Sequence, residues 1–113
     1  MSRSSQERID DILVAIGRCQ RYVALVGTDC DDPNLIAMAE DAIERNLQII
    51  GEAATRLPDE VMAASPEIPW PQIRGFRNIL VHKYFGVDIE VVRDVVNNHL
   101  PLLADSLRDA DGA

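Results

Sequence analysis

Residues 34–57 read NLIAMAEDAIERNLQIIGEAATRL. The apolar residues Leu35, Met38, Ala39, Ala42, Ile43, Leu47, Ile49, Ile50 and Ala53 recur at three- and four-residue intervals, the spacing of one helix face. They predict a long helix from about Asn34 to Leu57, where Pro58 stops it by removing a donor and fixing φ. Leu35, Met38 and the alanines read as core or interface. Arg45 and Glu52 fall among them and would need partners if they faced a helix seam; Arg45 reads equally as surface.

The same period appears on the N-terminal side. Ile9, Ile12, Leu13, Ile16, Val23 and Val26 define a first helix that ends at Gly27. Ser4 or Ser5 can cap it, and Ser4-x-x-Glu7 fits a capping box. Between the two helices, residues 28–34 read TDCDDPN, an acidic turn whose carboxylates fit a helix cap better than a metal site.

On the C-terminal side, Pro58 to Met62 begins a short helical turn. Pro66, Pro69 and Pro71 then stiffen a lead-in to the next element. Trp70, the only tryptophan, reads as a packing anchor there rather than a base-stacking platform. A third helix is expected over about Pro71 to Tyr84, broken by Phe85-Gly86-Val87-Asp88. A last helix from about Ile89 should turn Val91, Val92, Val95 and Val96 inward and kink at Pro101 before Leu102, Leu103 and Leu107. His99 reads as structural or exposed, and residues 109–113 as a frayed tail.

These elements predict an all-α, up-and-down bundle of four to five helices in one domain, residues 1–113. Aromatics make up only 4% of the chain, and aliphatic residues carry the apolar content, which favours helix-on-helix packing. No apolar run approaches the ~20 residues that span a bilayer, and the first residues lack the apolar core of a signal peptide. Cys19 and Cys30 are too isolated for a disulfide framework or a zinc site. A cytoplasmic protein is expected, acting away from membranes.

Charge is distributed unevenly. The net charge is −8, yet residues 68–87 hold no Asp or Glu while Arg74, Arg77 and Lys83 give that window +3. A chain that keeps acids away from one place brings something anionic there. The overall acidity argues against broad, non-specific nucleic-acid binding but leaves room for a small basic cleft that grips one phosphate. On an unbroken third helix, at about 100° per residue, Tyr84 would fall about 20° from Arg77, Arg74 about 60°, Asn78 about 100° and His82 about 140°. Ile73, Phe76, Ile79 and Leu80 would take the opposite arc. The plain alternative is a solvated helix face.

Arg77-x4-His82-x-Tyr84 resembles the motif of the HepT-like toxins of the HEPN superfamily of helical nucleases. Ile49-Ile50-Gly51-Glu52-Ala53, Ile68-Pro69-Trp70, Gly75-Phe76-Arg77-Asn78, Tyr84-Phe85-Gly86-Val87-Asp88 and Leu100-Pro101 extend the likeness over nearly the whole chain, in the expected order. A tryptophan expected near Arg93 is absent, which bears on local packing and leaves the motif intact. The resemblance implies a helical bundle that dimerises through its helices, with two motif copies meeting across the interface. It also implies a ribonuclease without metal or other cofactor, paired with a small nucleotidyltransferase antitoxin of the MNT type that attaches AMP to Tyr84. Such pairs are toxin–antitoxin systems of type II or VII.

The residue types suit that chemistry. Metal-free RNA cleavage uses the ribose 2′-hydroxyl as nucleophile, so the protein must move protons and stabilise a phosphorane-like anion. The imidazole of His82 can do the first near neutral pH. The planar fork of Arg77 can do the second. Asn78 can orient His82 or bind phosphate, and Arg74 and Lys83 can guide RNA inward. An AMP group on Tyr84 would add charge and bulk beside Arg77 and His82. A second reading from another class is a non-catalytic helical module that binds a nucleotide or a nucleotidyltransferase; the net acidity favours it, and the Arg77/His82 pair favours the nuclease.

Overall fold

The computed structural model describes residues 4–27, 29–79 and 89–112. α1 spans Ser5–Val26 and starts at the expected cap: the Glu7 amide donates to Ser4 Oγ at 3.1 Å. Gly27 ends it at a φ of 56°, a left-handed conformation that glycine reaches without steric cost. α2 spans Pro33–Thr55. Its cap is Asp32, whose Oδ1 accepts from the amides of Asn34 and Leu35 at 3.0 and 3.3 Å. The acidic turn therefore serves helix initiation, with Pro33 at the first helical position, where its missing donor costs nothing.

The short link between α1 and α2 makes them neighbours, and they form the most extensive helix pair. Ile12, Ile16 and Cys19 from α1 meet Ile43, Leu47 and Ile50 from α2 in the fully buried centre. A third layer comes from the end of the chain. α5, Ile89–Asp94, runs through a π-helical turn at Val95–His99 into α6, Leu100–Gly112. Val92, Val96, Leu100, Leu103 and Leu107 complete the core. The result is an all-α bundle.

Two short helices, α3 (Asp59–Ala63) and α4 (Trp70–Gly75), carry the chain from α2 towards the motif. Trp70 is the packing anchor expected. It is buried, and its Nε1 donates to the carbonyls of Met62 and Ser65, both at 3.1 Å. One side chain thus fastens the proline-rich lead-in to the end of α3.

Several expectations need correction. The third helix does not run unbroken to Tyr84: α4 ends at Gly75, a 3-10 turn covers Phe76–Asn78, and Ile79 is extended at φ −71°, ψ 139°. The helical phase counted from Arg77 is lost at Ile79, so it cannot place His82 or Tyr84. Val91, assigned to the inner face, is 52% exposed, and Met38, read as core or interface, is 69% exposed and lies outside the core of the chain. Buried Asn46 and Gly51 take positions on the inner face of α2 that the apolar count passed over. Arg45 is on the surface, and Glu52 is exposed and paired with Arg56 at 2.8 Å. The last helix continues past Pro101 as expected, and its irregularity is a π turn just before the proline. There the Leu100 amide reaches back to Val95, a local widening that absorbs the donor Pro101 lacks.

Candidate functional site

The site is built where the turn after α4 lies across α2. Gly51 makes that approach possible. A Cβ at Gly51 would stand 2.8 Å from the carbonyl carbon of Phe76 and 3.1 Å from the carbonyl oxygen of Arg74, and would collide with the backbone nitrogen of Arg77. The absent side chain is thus the space that the Arg74–Arg77 backbone fills. One helical turn earlier on the same face, Gln48 Nε2 donates to the carbonyl oxygen of Ile79 at 3.0 Å. The same nitrogen faces Glu44 Oε1 at 3.4 Å. Phe76 and Ile79 pack their apolar side chains on the core.

This seating turns the polar residues outward. Arg77 and Asn78 are exposed, on a backbone fixed from below by α2. Arg74 behaves differently from the expectation that it stands among the polar residues of one face. It is half-buried, its Nη2 contacts Met62 Sδ, and its buried Nε has no hydrogen-bond partner. Its guanidinium has no carboxylate beside it among the described residues. His82, Lys83 and Tyr84 lie outside the described residues.

The structure thus brings Arg74, Arg77 and Asn78 to one short segment pinned on α2. Sequence reasoning did not single out Gln48, and it met Gly51 only within the resemblance. Gly51 left a signal, since a glycine deep inside a strongly periodic helix needs a packing reason. Gln48 left none, because a polar residue at a helix position reads as surface. Among the described residues, two clefts lie elsewhere. One of about 280 Å³ includes Glu67, Ile73, His99 and Leu102 in its lining, and one of about 260 Å³ lies between Arg18 and Asn46. Neither is lined by Arg74, Arg77 or Asn78. Among the described residues no group of three or more His, Cys, Asp or Glu could hold a metal ion, and no helix is long and apolar enough to cross a membrane.

Similarity to known proteins runs over the same elements. A protein of Thermococcus cleftensis named "Probable ribonuclease HepT" is 33% identical over 106 residues, which cover 91% of this chain and 92% of that protein. A Methanocaldococcus jannaschii protein named "Putative RNase" is 37% identical over 62 residues, 55% of this chain and 51% of its own. A Caldanaerobacter subterraneus protein of the same designation is 35% identical over 68 residues, covering 60% of this chain and 61% of its own. No solved structure matches the chain. The family model described as Ribonuclease HepT-like matches residues 12–110, from the middle of α1 almost to the end of α6, and the chain belongs to that ribonuclease family.

Proposed function

We propose that this chain is the toxin of a toxin–antitoxin pair, a metal-independent endoribonuclease that works as a homodimer of one-domain subunits. The observation that carries this reading is the exposed Arg77, held on a turn seated on Gly51 in an acid-free window, five residues before His82. A guanidinium can hold two oxygens of a scissile phosphate with its planar fork, and the fixed backbone limits the freedom lost to that of the side chain alone.

In this mechanism the ribose 2′-hydroxyl attacks phosphorus and the 5′-oxygen leaves, so the product carries a 2′,3′-cyclic phosphate. His82 transfers a proton on one side of the displacement. The opposite side is served by His82 of a second copy, by water or by the substrate. Arg77 stabilises the charge that develops on the non-bridging oxygens. Asn78 and Lys83 bind flanking phosphate or orient His82. Arg74, half-buried and without a carboxylate partner among the described residues, supplies positive potential from behind the turn. A nucleotidyltransferase antitoxin silences the site by attaching AMP to Tyr84, which brings a competing phosphate to Arg77.

The test is cleavage of RNA by protein made without any partner, in excess EDTA, with His82→Ala and Arg77→Ala beside it. Cleavage by the wild type alone, leaving cyclic phosphate ends, is the expected result. No cleavage by a protein whose intact mass shows an unmodified Tyr84 would overturn the nuclease reading in favour of a nucleotide- or transferase-binding module.

A further inference from the structure

Glu44, Gln48 and Gly51 lie at three- and four-residue intervals on α2, and so share one face. Two of them hold the motif segment directly, Gly51 by admitting its backbone and Gln48 by bonding the carbonyl of Ile79. That carbonyl sits at a helix end, where oxygens have no partner within the helix. The Ile79 amide closes the 3-10 turn by donating to Phe76 at 3.1 Å. The extended ψ of Ile79 ends the helical phase there, and the Gln48 bond holds its carbonyl in place.

The orientation of the Gln48 amide is chemically forced. Both groups facing it, a backbone carbonyl and a carboxylate, only accept hydrogen bonds. The NH2 end must therefore point at them, and Glu44 acts as the stop that keeps it there. A residue with two acceptor oxygens at this position would meet two acceptors.

From this geometry we infer that Gln48 is a positioning residue for RNA cleavage, supported by Glu44. It fixes the Ile79 carbonyl at the exit of the Arg77–Asn78 turn, three residues before His82 in sequence, and so steadies the segment that carries the phosphate-holding arginine. Neither Gln48 nor Glu44 touches the reacting atoms. The inference rests on the nuclease reading given above. Misplacing a reacting group by about 1 Å costs on the order of 100-fold in rate, while phosphate binding by Arg77 and Lys83 is far less sensitive to it.

The experiment compares wild type, Gln48→Glu and Gln48→Met in single-turnover cleavage of an RNA oligonucleotide. The Kd for that RNA is measured with each change placed on His82→Ala, and thermal unfolding is followed for all proteins. Gln48→Glu keeps the shape and removes the donors; Gln48→Met removes them without adding charge beside Glu44, which covers failure of the first variant to fold. The expected result is a fall of roughly 10-fold to 100-fold in the cleavage rate at saturating RNA for both variants, with Kd within about twofold for Gln48→Met, the variant that adds no charge and on which the binding comparison rests, and the fraction folded unchanged at the assay temperature. A rate within twofold of wild type in a folded variant, or a loss matched by weaker RNA binding, would overturn the positioning role while leaving the nuclease intact. Wild-type protein that does not cleave RNA would instead overturn the nuclease reading, and this inference with it.

Discussion

The backbone nitrogen of Arg77 occupies the space where any other residue at position 51 would have its Cβ. A helix-interior glycine costs about 1 kcal/mol relative to alanine through lost conformational freedom. Here that cost is offset by the close seating of the motif turn on α2. The obstruction is main chain, which cannot swing aside as a flexible side chain does.

Gly51→Ala is therefore expected to destabilise the protein by about 1–3 kcal/mol, despite the better helix propensity of alanine, and to depress RNA cleavage further by lifting Arg77 from its seat. Gly75→Ala provides the contrast. Its added Cβ would have nothing within 4 Å, and its φ of −62° suits any residue, so a gain of about 0.4–1 kcal/mol is expected. Urea unfolding of the two variants measures both signs.

Trp70→Phe removes the indole donor that two buried carbonyls share. The ring volume shrinks and the Met62 and Ser65 oxygens each lose a partner, so a loss of about 2 kcal/mol is expected. Thermal unfolding reads it. An unchanged midpoint would mean that the lead-in to α4 is held by its prolines alone.

Cys19 is fully buried between α1 and α2, and burial pushes its thiol up from 9.0 to about 12. The unfolded chain ionises this thiol above about pH 9 while the folded chain keeps the proton, so the unfolded state binds fewer protons in that window. Its contribution to stability is complete below pH 9 and is lost as pH rises towards 12, at about 1 kcal/mol per unit. Cys19→Ala should be less stable at pH 7, because it leaves a small cavity, and should show a shallower decline between pH 9 and 11. Equal slopes for the two proteins would refute the assignment.

Arg77→Lys keeps the charge and loses the planar fork. On the mechanism proposed, RNA affinity at low salt should stay within a few-fold of wild type, while the cleavage rate falls by about tenfold or more. Single-turnover rates and filter binding separate the two. A lysine that supports the full rate would reduce Arg77 to a point charge.

What the sequence by itself determined is the part governed by local periodicity and local bonds. The apolar stripes of α1 and α2 specify two long helices, because only a 3.6-residue period gathers those side chains on one face. Ser4 and Asp32 cap the helices through bonds to amides two or three residues away, and such contacts can be read from a few letters. The acid-free window around Arg74, Arg77 and Lys83 is likewise written in the sequence itself.

What only the tertiary structure decided is where the third helix stops and which way Arg77 faces. Local propensity would carry the helix through Ile79, since nothing between Phe76 and Leu80 breaks it in sequence. The break comes from residues about 30 positions away, where Gly51 admits the turn and Gln48 takes the carbonyl of Ile79. The exposure of Met38 and the burial of Asn46 were hidden for the same reason. A helical period names a face, but only the neighbour packed against that face decides which of its edges is covered. The π turn at Val95–His99 is an intermediate case: Pro101 announced a disturbance, and the packing of Val96 and Leu100 in the core decided that the helix would widen there and continue.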